Sequence, residues 1–155
     1  MDEMSMNSPA AASPGKRLFI AGCVTLFLFS AVHMIPMFIS IFMEPTAPLE
    51  IEAKRAMSAV VVDIGPFRTN WVGLNQLLSV SYSVLLFFVV ALDLVALPAV
   101  NAHGRLREMA AVNAIFAGIL LAIAVIYNFP PPGVFSLVAT VFFVVAMVKA
   151  KAAKR

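Results

Sequence analysis

The chain has 155 residues, of which 62% are hydrophobic and only 12% charged, and its mean hydropathy is +0.97. Soluble domains are about 45–50% apolar and about 25% charged, and a short chain leaves much of its surface exposed, so this apolar surplus excludes an ordinary water-soluble fold and calls for lipid. The single cysteine, Cys23, excludes an internal disulfide and a CxxC redox pair, and the net charge of +3 sits on basic residues beside apolar runs, which marks topology and not a nucleic-acid surface.

Residues 1–17 are small, polar and proline-containing, and predict a disordered cytoplasmic tail. Leu18 to Met43 then runs without a charge. That exceeds the roughly 20 residues needed to cross the hydrocarbon core. A signal peptide has an apolar region of about 7–15 residues and closes on small residues. This run is longer and closes on bulky Ile-Ser-Ile-Phe-Met, so residues 18–43 read as a retained span. Pro36 is expected to kink it.

The longest polar interval, 44–70, holds Glu44, Glu50, Glu52, Lys54, Arg55, Asp63 and Arg68. Pro45 and Pro48 end the first span. Leu49, Ala53, Ala56, Met57, Val60 and Val61 then recur near helical spacing, which predicts a short helix over 49–62, lying on the membrane surface or capping the bundle. Gly65-Pro66 breaks it. A second span is expected over 71–97, ending before Pro98, and a third over 109–128 after the basic turn His103–Glu108. Pro130–Gly133 reads as a tight hairpin. A fourth span over 133–148 is short, and Lys149 and Lys151 can snorkel to the headgroups to extend it. The fold expected is an all-α, four-helix transmembrane bundle with a basic cytoplasmic tail at 149–155.

Lysine and arginine counts in short loops set orientation. Of the 11 such residues, Lys16, Arg17, Arg105, Arg107, Lys149, Lys151, Lys154 and Arg155 fall on one side, and Lys54, Arg55 and Arg68 on the other. The richer side belongs in the cytoplasm, which puts both termini there and Trp71 and Tyr127 at the outer interface.

Helices in lipid associate through close backbone approach and polar contacts. Ala110, Ala114, Gly118 and Ala122 repeat every four residues on the third span and read as its packing ridge, with a weaker counterpart at Ser136 and Thr140. Asn75, Gln76, Ser79, Tyr82 and Ser83 make the second span the most polar, and a polar face in lipid turns inward. Interhelical hydrogen bonding accounts for the stripe. A ligand-binding cavity in the outer half is the sharper reading. His33, at matching depth on the first span, is expected to join that polar core, with metal or haem ligation as the alternative role of its imidazole. Asp93, an intramembrane acid, is assigned Asn113 as partner, either to anchor the bundle or to couple protons or substrate.

Phe29-Ser-Ala-Val-His33, Trp71-Val-Gly-Leu-Asn75 and Asn128-Phe-Pro-Pro131 together resemble small bacterial four-span proteins with no assigned activity. The resemblance implies the fold and an inner-membrane location, and no chemistry. Arg105-Leu-Arg-Glu-Met-Ala-Ala-Val-Asn113 resembles the basic, asparagine-containing stretch of the trimeric membrane glutathione transferases, but it precedes the third span and no matching Glu follows. The small multidrug exporters carry an essential Glu in their first span, where this chain has no acid. There is no Walker loop, nucleophile elbow or HExxH. The leading expectation is therefore a non-enzymatic accessory or assembly subunit without a cofactor, whose partners are the bilayer and either copies of itself or a larger membrane complex. The alternatives are a binder or transporter of a small apolar molecule, and a membrane enzyme or haem/metal protein using His33.

Overall fold

The computed structural model describes residues 14–150. Residues 1–13 and 151–155, where most of the two expected tails fall, lie outside that range. Among the described residues the elements run α1 (Pro14–Phe42), α2 (Pro48–Ala59), β1 (Val61–Ile64), β2 (Phe67–Asn70), α3 (Trp71–Ala102), α4 (Leu106–Ile126) and α5 (Pro130–Lys149). The fold is a helical bundle. Four helices, all but α2, are long and apolar enough to cross a bilayer. The shortest of these, α5, has 20 residues, or about 30 Å at 1.5 Å per residue.

The prolines fall differently from expectation. Pro14–Arg17 belong to α1 and not to a tail. Pro98 lies inside α3, which continues to Ala102. A proline removes one backbone hydrogen bond, and the remaining ladder of a long membrane helix carries it. Pro130 to Pro132 do not form the hairpin; they open α5, where missing N–H groups cost nothing because the first turn has no intrahelical partners.

Two helix ends share one mechanism. At the end of α3, Gly104 adopts a left-handed φ of 67°. Its N–H donates to Asn101 O, and that of Arg105 to Val100 O. At the end of α4, Asn128 adopts a φ of 48°, with Asn128 N–H donating to Val125 O and Phe129 N–H to Ala124 O. Both are Schellman motifs, which satisfy the last carbonyls and reverse the chain. Between α2 and α3 the chain forms a β-hairpin instead of prolonging the helix to 62. Val62 pairs with Thr69, and Ile64 with Phe67, across a Gly65-Pro66 loop. Gly65 at φ 57° followed by proline suits a two-residue II′ turn, whose first central position needs positive φ.

The described chain divides into two compact units. The first comprises residues 14–23 and 96–150. Here α4 and α5 pack along their lengths. The α4 helix buries Leu106, Ala110, Asn113, Ala117 and Ala124, and α5 buries Ser136, Ala139, Phe143 and Ala146. The start of α1 closes on α5: the Phe19 and Phe143 rings lie 5.4 Å apart, and both are fully buried. A Cβ added to Gly22 would stand 2.6 Å from the Phe143 ring, and one added to Gly15 would stand 3.1 Å from backbone atoms of Ala146 and Ala150. Glycine at these two places permits the approach.

The second unit, Val24–Val95, joins the rest of α1 to most of α3. Leu26, Phe29, Ser30 and Met37 are buried on α1, and Ser83, Leu86 and Val90 on α3. The Ser30 hydroxyl donates to the Ser83 carbonyl at 2.8 Å, and Phe27 meets Phe87 edge-on at 4.9 Å.

In all four long helices most successive buried positions fall three, four or seven residues apart, the 3.5-residue seam of coiled-coil packing. Only part of the ridge expected on α4 lies on this seam. Ala110 is buried, but Ala114 and Gly118 are half-buried and Ala122 is exposed. A Cβ on Gly118 would meet nothing within 4 Å. A stripe repeating every four residues drifts about 40° around the helix at each step and leaves the seam.

Candidate ligand-binding cavity

The polar residues expected to form one site separate into two places within the second unit. The deeper place is an aromatic cluster. His33 and Tyr82 meet edge-on with ring centroids 5.8 Å apart, and Phe29 stands 6.1 Å from Tyr82 and 6.2 Å from His33. His33, Ser79 and Tyr82 are half-buried. The rings stand between α1 and α3, and none of these residues is part of the lining of the two cavities beside α2. Among the described residues no group of three or more His, Cys, Asp or Glu converges at a metal-binding distance.

The second place is a cavity of about 570 Å³ where the end of α1, α2 and the start of α3 meet. Asn75 and Gln76 line it, as one turn of the expected polar stripe. The other walls come from residues the sequence reading did not select. Pro36, Ile39 and Met43 of α1, Met57 of α2 and Val72 of α3 supply apolar surface. Ser40, Glu44, Thr46, Glu50 and Lys54 supply polar groups. On α2 the lining residues are Glu50, Ala53, Lys54 and Met57, which share one helical face at i, i+3, i+4 and i+7. The face turned to the cavity therefore carries two charges, where the expected inner face was wholly apolar.

Four features hold this arrangement. Pro48 starts α2 at its first position, where its fixed φ suits a helix. Lys54 bridges to Glu44 at 3.5 Å, tying α2 to the segment after α1. The Val60 carbonyl accepts the Trp71 N–H at 3.0 Å across the base of the hairpin, and the Asn70 side chain accepts the Gly73 N–H at 2.8 Å, which caps α3 in the manner preferred for asparagine. No residue of α2 is fully buried. A smaller cavity lies beside the first, lined by Ala56, Met57, Val60 and Trp71, so Met57 belongs to both.

The remaining candidates lie elsewhere. Asp93 is half-buried on α3. Asn113 is buried on α4, and its side-chain N–H donates to the Met109 carbonyl of its own helix at 3.2 Å. Thr140 likewise bonds back to the Ser136 carbonyl at 2.7 Å. Such back-bonding satisfies hydroxyls and amides locally.

Four apolar membrane-length helices in a helical bundle define a multi-pass integral membrane protein. No family model matches the chain, nor does any curated protein or solved structure.

Proposed function

We propose that the protein binds a small amphipathic molecule, in the cavity between the end of α1, α2 and the start of α3. The observation that carries this is the composition of the wall. Ligand sites are concave, mostly apolar, and carry a few polar groups that fix orientation. About 570 Å³ lined by proline, isoleucine, methionine and valine, with amide, hydroxyl and charged groups among them, meets that description. The volume falls within the range of about 300–1,000 Å³ typical of small-molecule sites. The basic-residue distribution puts this end of the helices outside the cytoplasm and both termini inside it. A bacterial inner membrane accords with the resemblance to small bacterial four-span proteins.

Photolabelling tests the reading. An uncharged alkyl diazirine is added to the protein in nanodiscs, and adducts are mapped by mass spectrometry. Labelling is expected at Ile39, Met43 and Met57, and Ala53→Phe, which fills the cavity from α2, should remove it. Equal labelling of Ala53→Phe and wild type would overturn the proposal.

A second reading, an assembly subunit, is supported by the outward part of α4, where a Cβ added to Gly118 would meet nothing within 4 Å and Ala122 is exposed. It predicts that Gly118→Leu changes oligomer size in detergent while leaving the monomer folded. Unchanged size would remove it.

A further inference from the structure

The charges at the cavity point to the head of the molecule it takes. Glu44, Glu50 and Lys54 are the charged residues among its lining groups. The Lys54 ammonium stands 3.5 Å from Glu44, so these two largely offset each other. Glu50 takes part in no ion pair among the described residues. It projects from the first turn of α2 on the same face as Ala53 and Met57. The lining therefore carries one net negative charge, and Glu50, exposed and one helical turn before Lys54, stands at its polar edge. Asn75 and Gln76 on the start of α3 add neutral hydrogen-bonding groups.

Resting on the binding function proposed above, we propose that the cavity selects amphiphiles with a cationic amine head. The apolar chain lies against Ile39, Met43, Met57 and Val72, and the ammonium group is held by Glu50, with Asn75 and Gln76 as further acceptors. An anionic head would meet the Glu50 charge while the amine of Lys54 is engaged by Glu44. An uncharged head would gain the chamber without the charge contact. Single exposed ion pairs contribute little, so the preference is a matter of severalfold, with the apolar wall supplying most of the affinity.

Competition against the alkyl diazirine separates the two levels of the argument. Dodecylammonium, dodecanol and dodecyl sulfate share one chain length and differ in head charge, and the first carries the N–H donors that the choline head of the host lipid lacks. In nanodiscs of zwitterionic phosphatidylcholine, the cation is expected to displace the label at about fivefold lower membrane concentration than the alcohol, and the sulfate at the highest concentration. Glu50→Gln should bring the cation level with the alcohol and leave the alcohol unchanged. Glu44→Gln, which frees Lys54, should narrow the gap between sulfate and alcohol. If none of the three displaces the label, the cavity itself is not a binding site. If all three compete equally, or Glu50→Gln keeps the preference for the cation, the chamber binds chains without reading the head, and the present proposal falls alone. Replacing the host lipid with phosphatidylethanolamine identifies the source: suppressed labelling points to a bilayer lipid with an amine head, and unchanged labelling with retained cation competition points to a free amphipathic amine. Weaker dodecylammonium binding in phosphatidylethanolamine than in phosphatidylcholine would support the lipid source further.

Discussion

The two units of this protein solve the same packing problem in opposite ways. In the first, helices meet through glycine, alanine and two interlocked phenylalanines, and Gly15 and Gly22 let backbone and ring come within touching distance. In the second, α1 and α3 hold together through one serine hydroxyl and a set of edge-on rings. At one end they leave a chamber under a helix with no buried residue. Dense contact of small residues is how membrane helices gain stability without a hydrophobic driving force between them. The first unit is built for cohesion, and the second leaves room to accommodate a guest.

Substitutions can break that contrast. The largest effect is expected for Gly22→Val. Its added carbons would enter a space already occupied by the Phe143 ring, which is fully buried, and overpacking of this kind costs about 1–3 kcal/mol or more. Thermal unfolding in detergent should fall by several degrees, and Phe143→Leu should restore part of the loss, since residues in contact couple non-additively. A silent Gly22→Val would mean that the first unit is looser than its geometry. A smaller loss, about 0.6 kcal/mol, is expected for Ser30→Ala, the usual size of a hydrogen bond between membrane helices. A change of several kcal/mol there would make the second unit as cohesive as the first. The smallest effect, within about 0.5 kcal/mol, is expected for Ala53→Phe, because its side chain enters open space; a large drop in melting temperature would show that the chamber wall cannot yield.

The spans were legible because twenty or so uncharged residues in a row have one common explanation. Their ends were less so. Gly104 and Asn128 terminate α3 and α4 through positive φ, whereas the prolines at 98 and 130–132, which look more like stops, lie within helices. The buried faces were hidden for a different reason. In lipid both sides of a helix are apolar, so hydrophobic periodicity carries little information. Polarity marks part of the distinction: Cys23, Ser30, Ser83, Asn113 and Ser136 are buried beside large residues such as Phe19 and Leu86, while Phe38, Leu77, Leu85, Ile115 and Val141 face out. Reading for small and polar residues at a 3.5-residue repeat would have found the seam that a four-residue stripe missed.

The cavity was half visible. Asn75 and Gln76 were selected for polarity, but Glu50 and Lys54 on α2 were not, because the helix expected there had its charges falling outside an inner face of Leu49, Ala53, Ala56 and Met57. The β-hairpin was missed although Val60, Val61, Val62 and Ile64 form a β-branched run before Gly65-Pro66. That run was absorbed into a helical pattern which the chain follows only as far as Ala59.

The short turn after α4 bears on how the protein is made. With Asn128 reversing the chain and Pro130 already opening the next helix, α4 and α5 are linked closely enough to pair as they enter the bilayer, so that Asn113 and Ser136, both buried in the folded unit, need not face acyl chains singly. Lengthening that link with a flexible insert would separate the two insertion events and expose each polar group in turn to the membrane's quality-control proteases.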